Sequence, residues 1–144
     1  MEERTVLQGK AGLKHYLTEH ALRVNPRDLR EVLATLPRLR HRAREVDLSG
    51  FPFLPAQLEL LSNALEAFAS GVNEEIPLST AAEIVVAISL LALSLDESPF
   101  SNEESNGGPS IVALLLQRHR RALKKFAATK GISWSLLEPE PFPV

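Results

Sequence analysis

The chain has 144 residues, of which 44% are apolar, and its formal net charge at pH 7 is −2. This length suits one ordinary domain with its own core and is short for two. The sequence contains no cysteine, which excludes a disulfide scaffold, a thiolate metal site and a cysteine nucleophile. The N-terminal segment lacks the apolar core of a signal peptide, so we predict a cytoplasmic protein.

Charge is distributed unevenly along the chain. Seven arginines lie within 23–44, no lysine or arginine lies within 45–117, and six basic residues follow within 118–130. Eleven acidic residues occupy the middle stretch. Two interpretations are open: the basic and acidic segments pair within the molecule, or a basic surface contacts an anionic partner.

Hydrophobic periodicity and capping signals predict five helical segments, at about 10–23, 26–46, 55–70, 80–95 and 109–129. Asn25 is a good N-cap and Pro26 suits the first helical position, so the second segment begins there. Pro37 lies inside that segment and predicts either a kink or a split. Thr35 is positioned to cap a restart after such a split.

The fourth segment is the expected centre of the fold. Thr80 and Glu83 have the spacing of a capping box, and 84–95 is almost wholly apolar. A helix that is apolar on all sides is either buried in a protein or lies in a membrane. The stretch 81–95 is short for a bilayer, so we predict an all-α fold, a compact bundle of five to six helices around a buried apolar helix.

Two polar segments complete the chain. Residues 96–108 are acidic and Gly-rich, which predicts a loop, and one long helix is expected after it at 109–129. Prolines predict an extended tail over 139–144. We therefore expect a single helical domain over 1–138, followed by that tail.

The sequence contains no phosphate-binding Gly-rich loop, nucleophile elbow or EF-hand pattern, and no two histidines have the i, i+4 spacing of a helical metal site. We therefore predict no catalytic residue, no metal and no cofactor. His119 lies on an apolar helical face, where it is either a packed, hydrogen-bonded core residue or a ligand or general base. The candidate binding residues are Arg38, Arg40, Arg42, Arg44, Asp96 and His119.

The stretch FASGVNEEIPLSTAAEIVVAISLLALSLDESPF, at 68–100, resembles the YkvA-like family of small bacterial proteins. In that family an Ile-Pro turn precedes an apolar helix that ends in an Asp-x-Ile-Pro-Asp motif. Ile76 and Pro77 match the turn, 81–95 matches the helix, and Asp96 with Pro99 matches part of the motif. Upstream, ATLPRLRHRAREVDLSGFPFLPAQLELLSNALEAF also looks like the segment that precedes the domain, so the resemblance covers about 33–131.

The chain also departs from that family's pattern. Phe100 stands where the family has the second aspartate of the first motif, and Gly107 with Gly108 stands near its Asp-Asp pair. The resemblance implies an all-α fold and a bacterial source, and it implies no activity. If the family's acids bind a cation, only Asp96 is retained here.

Three classes of function follow. The leading one is a non-catalytic protein-interaction or regulatory module, whose partner is a protein or, because of the many apolar residues near the fourth helix, a second copy of the chain. The second is a divergent enzyme or cation-binding protein that uses Asp96 and His119. The third is a weak nucleic-acid or membrane-surface binder through the arginine-rich segment; nucleic acid is disfavoured because no recognition motif accompanies the arginines. No transmembrane span is expected.

Overall fold

In a computed structural model, the residues that the structure describes are 9–46, 48, 50–71, 76–96 and 108–137. They form helices and a short 3-10 turn (Trp134–Leu136), without a strand among them. The six helices are α1 (Gly9–Ala21), α2 (Pro26–Glu45), α3 (Leu54–Ser70), α4 (Leu78–Asp96), α5 (Gly108–Arg118) and α6 (Arg120–Thr129). The predicted tail, 139–144, and most of the predicted 96–108 loop lie outside the described residues.

Helix α4 is the centre of the bundle, because it packs against α1, α2, α3 and α5. Its side chains Ile84, Ala87, Leu91 and Leu95 are completely buried. This confirms the all-α bundle around an apolar helix. Burial of such aliphatic side chains is the main favourable contribution to folding.

Helix α4 is longer than the apolar stretch 81–95 predicted, since it has 19 residues, and the expectation that it is too short to cross a membrane was wrong. Its window Leu78–Leu95 has a mean hydropathy of 2.1, which is apolar enough for a membrane span by composition. However, 67% of that window is buried inside the bundle. Such burial is consistent with the core helix of a soluble protein.

The second predicted helix is a single continuous element. The N-cap is confirmed, since the Asn25 side chain accepts a hydrogen bond from the Asp28 N–H and the Asp28 carboxylate accepts one from the Asn25 N–H. The predicted split at Pro37 is absent, because α2 runs through that residue to Glu45. Thr35 does not cap a restart, since its hydroxyl donates to the Val32 carbonyl, 2.7 Å away.

Two other local predictions were wrong, and both involve His119. Helix α4 begins at Leu78, two residues before the predicted cap, and the Thr80 side chain contacts the His119 ring instead of capping the helix. The predicted long last helix is divided at His119, whose φ of −111° and ψ of 27° separate α5 from α6. The aliphatic periodicity continues through 109–129, so it gave no sign of this break.

Gly108 allows α5 to approach α4 closely. A Cβ added to Gly108 would lie 2.5 Å from Ser94 Oγ and 3.2 Å from the Leu91 Cα. We therefore expect Gly108→Ala to lower the free energy of unfolding by about 1–3 kcal/mol through overpacking. Urea unfolding followed by circular dichroism measures the loss, with the exposed Ser110→Ala as the control. A helix-propensity effect alone would have the opposite sign, so a more stable Gly108→Ala would contradict the close approach.

Candidate binding groove

A surface groove lies between α1, α2 and α4. Helices α1 and α2 each pack against α4 but have little contact with each other. The space between them is a cavity of about 520 Å³, within the range of typical ligand-binding pockets. Because α4 forms its base, the groove exposes part of the most apolar helix in the bundle.

The floor of the groove is mainly apolar. Its apolar lining comprises Val24, Val32, Leu39, Val85, Val86, Ile88 and Ala92. Ser89 and Ala92 are the small residues on the α4 side, and Ser89 is exposed. The valines and the isoleucine that α4 contributes to the floor are buried, so Ser89 and the half-buried Ala92 are the most accessible part of α4 in the groove.

The acidic side chains of the groove are occupied by local partners. Asp28 belongs to the N-cap of α2, and the Glu31 carboxylate lies 3.1 Å from Arg27 Nε in an i, i+4 ion pair. Both carboxylates thus have partners at or near the start of α2.

The basic side chains of the groove differ from one another. Arg42 donates from Nε to the Leu95 carbonyl at 3.2 Å and contacts Glu45, so it neutralises the C-terminal end of α4. Arg23 and Arg38 are exposed, and their guanidinium groups have no ion pair or side-chain hydrogen bond in the described part of the chain. Arg23 and Arg38 are therefore the two charged side chains of the groove that form neither an ion pair nor a hydrogen bond within the described residues.

A stacked pair of rings stands at the α1 edge. The rings of Tyr16 and His20 have centroids 4.0 Å apart and are inclined by 24°. His20 Nδ1 lies 2.9 Å from the Tyr16 carbonyl oxygen. These contacts hold the two rings stacked along the α1 side of the groove.

The arginines that the sequence proposed as one binding surface have different environments. Arg38 lines the groove, and Arg44 is exposed outside it. Arg40 instead joins α2 to α3, since Nη2 lies 3.1 Å from Glu66 Oε1 and Nε lies 3.4 Å from Glu59 Oε2. The hydrogen bond to Glu66 raises the pKa of Arg40 above its ordinary value, and Glu59 adds to this while burial opposes it. Arg40 is therefore an internal structural contact.

Asp96 and His119 are not brought together. Asp96 is the last residue of α4, whereas His119 contacts Thr80 and Glu83 in the first turns of the same helix. Asp96 is thirteen positions after Glu83 along the helix, which corresponds to about 20 Å. The geometry therefore does not support a single site that uses both residues.

His119 belongs to a polar cluster, the Glu83 cluster, formed by Thr80, Glu83, Arg118 and His119. Thr80 Oγ1 lies 2.9 Å from His119 Nδ1, and Glu83 Oε1 lies 2.9 Å from His119 Nε2. The other Glu83 oxygen lies 3.5 Å from Arg118 Nη2. Arg118 Nη1 also donates to Thr18 Oγ1 at 2.8 Å, which connects α1 to the cluster.

The order of Thr80, His119 and Glu83 resembles a nucleophile, base and carboxylate. However, Thr80 is only 1% exposed, and the cluster does not line the groove. The contacts of Glu83 with Arg118 and His119 join α4 to the end of α5. The packed, hydrogen-bonded state of His119 is what the structure shows.

Sequence reasoning missed the α1 side of the groove. Tyr16, His20 and Arg23 line it. The sequence does not indicate them as binding residues, because the arginines of α2 dominate its charge pattern. The one available signal was the position of Arg23 in the turn just before the Asn25 cap. The gap between α1 and α2 depends on packing and has no local signature.

Within the described residues, no group of three or more His, Asp or Glu side chains is arranged to hold a metal ion. No protein-family model matches the chain, and no curated protein or solved structure shows significant similarity to it.

Proposed function

We propose that this protein is a non-catalytic interaction module that docks a helical segment of a partner protein in the groove between α1, α2 and α4. The observation that carries the proposal is the gap between α1 and α2 above the part of α4 where the exposed Ser89 and the half-buried Ala92 adjoin buried aliphatic side chains. In a helical bundle, such a gap has the shape that one more amphipathic helix fills.

The dimensions of the groove favour a helix of a few turns. Its lining on α2 extends from Asp28 to Arg42, which corresponds to about 21 Å of helix. On α4 it extends from Val85 to Ala92, the i to i+7 interval over which one face of a docked helix presents its anchors. The small side chains of Ser89 and Ala92 leave room for such anchors.

The test uses a fluorescein-labelled helical peptide with leucines at i, i+3, i+4 and i+7 and glutamines elsewhere, and a scrambled peptide of the same composition. We expect the patterned peptide to bind and the scrambled one not to bind in fluorescence anisotropy titrations. Ser89→Trp, which fills the groove from an exposed position, should weaken binding at least tenfold. The matched control is Ser110→Trp, which is exposed on α5 outside the groove.

Chemical-shift mapping in ¹⁵N-labelled protein locates the contact. Perturbations confined to groove residues such as Val32, Ser89 and Ala92 would support docking at this site. Absence of binding, or binding that Ser89→Trp and Ser110→Trp weaken equally, would contradict the proposed function.

A further inference from the structure

We propose that the partner helix carries an acidic residue near each end of its apolar stripe, and that Arg23 and Arg38 select it by pairing with those carboxylates. This inference rests on the proposed function and adds the chemical class of the partner. It follows from the charges that the groove leaves unpaired.

The groove has a small excess of positive charge, because its lining contains three arginines and two carboxylates. Asp28 is occupied by the cap of α2, and Glu31 is paired with Arg27. Arg42 is committed to the end of α4. The exposed Arg23 and Arg38 therefore remain as the cations able to pair with a partner's carboxylates.

Two other arginines of α2 form ion pairs with glutamates of the same chain. Arg27 pairs with Glu31, and Arg40 pairs with Glu59 and Glu66. Arg23 and Arg38 differ in lying beside the apolar floor without a partner. A guanidinium at the edge of an apolar groove can form bidentate hydrogen bonds with a carboxylate while the stripe docks below it.

The two arginines also define a spacing. Arg23 lies in the turn just before α2, which begins at Pro26, and Arg38 is twelve residues beyond Pro26 on that helix. Arg38 is therefore about 18 Å of helix away from the end of the groove at which Arg23 lies. We expect one acid near each end of a three-turn stripe, because a carboxylate at its middle would reach neither arginine.

The experiment compares three peptides with one apolar stripe and different residues at the two flanking positions: glutamate, glutamine or lysine. We expect the glutamate peptide to bind about tenfold more tightly than the glutamine peptide, and the lysine peptide most weakly. Raising the salt concentration from 0.05 to 0.5 M should reduce the advantage of the glutamate peptide.

Charge reversal identifies the residues responsible. In R23E/R38E, the order of the three peptides should invert, so that the lysine peptide binds best. The matched control is R30E/R44E, which changes net charge equally at two exposed arginines outside the groove. That variant should preserve the original order.

Each outcome separates the two proposals. Equal binding of the glutamate and glutamine peptides would overturn the acidic partner while leaving helix docking in place, and no binding by any peptide would overturn docking itself. Inversion by R30E/R44E as well would assign the effect to net charge and overturn the role of Arg23 and Arg38. Analytical ultracentrifugation of the protein alone tests whether a second copy of the chain occupies the groove. A dimer that dissociates in the R23E/R38E variant would assign the groove to that second copy and overturn the proposed partner.

Discussion

Leu91→Ala should lower the free energy of unfolding by about 3 kcal/mol. Leu91 is completely buried in the middle of α4, where α5 approaches closely enough that a Cβ on Gly108 would lie 3.2 Å from the Leu91 Cα. Loss of the isobutyl group removes buried apolar surface and leaves a cavity that a packed bundle closes only partly. For a domain of this size the melting temperature should fall by roughly 10 °C.

Leu93 provides an internal control for this prediction. It is the same residue type, two positions further along the same helix, and is 63% exposed. Leu93→Ala should change the free energy of unfolding by less than about 0.5 kcal/mol. Both substitutions have the same effect on helix propensity, so the difference between them measures burial alone.

Urea denaturation followed at 222 nm supplies both values. Equal destabilisation by the two substitutions would mean that α4 is not oriented as described. A large loss for Leu93→Ala with none for Leu91→Ala would reverse its buried and exposed faces. Either result would also remove the floor of the proposed groove, because Ser89 and Ala92 are assigned to it by the same helix orientation.

The helical fold was predictable because its signals are local. The spacing of apolar residues, the Asn25 cap with Pro26, and Gly71 all act within a few residues of where they lie. Gly71 ends α3 with a φ of 72°, the left-handed conformation that favours glycine at this position. These residues would terminate or begin helices in almost any tertiary context.

The errors arose where a long-range contact outweighs a local preference. Thr80 has the spacing of a cap, yet its hydroxyl contacts His119, which is 39 residues away. The same histidine interrupts a stretch whose periodicity continues past it. Neither effect is visible without knowing that α4 and α5 are neighbours.

The groove was only half predictable for a similar reason. The high number of arginines in α2 predicts Arg38 and Arg42 as binding residues. It predicts Arg40 equally, although Arg40 does not line the groove. The difference is that Glu59 and Glu66 of α3 face Arg40. Ion pairs between helices thus determine which arginines of this segment stabilise the fold and which remain unpaired.

The resemblance to the YkvA-like family remains a prediction, but the structure adds a constraint at one departure. At Gly108, where the family has acids nearby, an added Cβ would lie 2.5 Å from Ser94 Oγ. An aspartate there would require α5 to move away from α4. The glycine is therefore explained by packing, and its presence need not indicate a lost cation site.

Glu83→Leu should lower the free energy of unfolding by about 3 kcal/mol, because it removes one member of a buried polar cluster. Glu83 is 6% exposed and contacts both His119 and Arg118. Glu83 Oε1 and His119 Nε2 lie 2.9 Å apart, and neither atom forms a hydrogen bond with the geometry required, to each other or to another group in the described residues. Their mutual contact is therefore the interaction that each atom loses when the other is removed.

The exposed pair formed by Arg27 and Glu31 is the control for surface electrostatics. Its atoms are 3.1 Å apart, but both side chains are more than half exposed. Glu31→Ala should cost less than about 0.5 kcal/mol, since water and salt screen an exposed pair and its side chains lose entropy on ordering. If Glu31→Ala and Glu83→Leu lowered the free energy of unfolding by similar amounts, burial would not be the cause of the larger effect expected at Glu83.

A double-mutant cycle separates the contact from the loss of the side chains. His119→Leu should also destabilise the fold, whereas Glu83→Leu/His119→Leu should lose about 1–3 kcal/mol less than the sum of the single variants, because neither polar group is then left buried without the other. Recovery should be incomplete, since the buried Thr80 hydroxyl loses its contact with the His119 ring. Losses that add within about 0.5 kcal/mol would show that Glu83 and His119 act independently. A coupling of the expected size would show that this contact between α4 and the junction of α5 and α6 stabilises the fold.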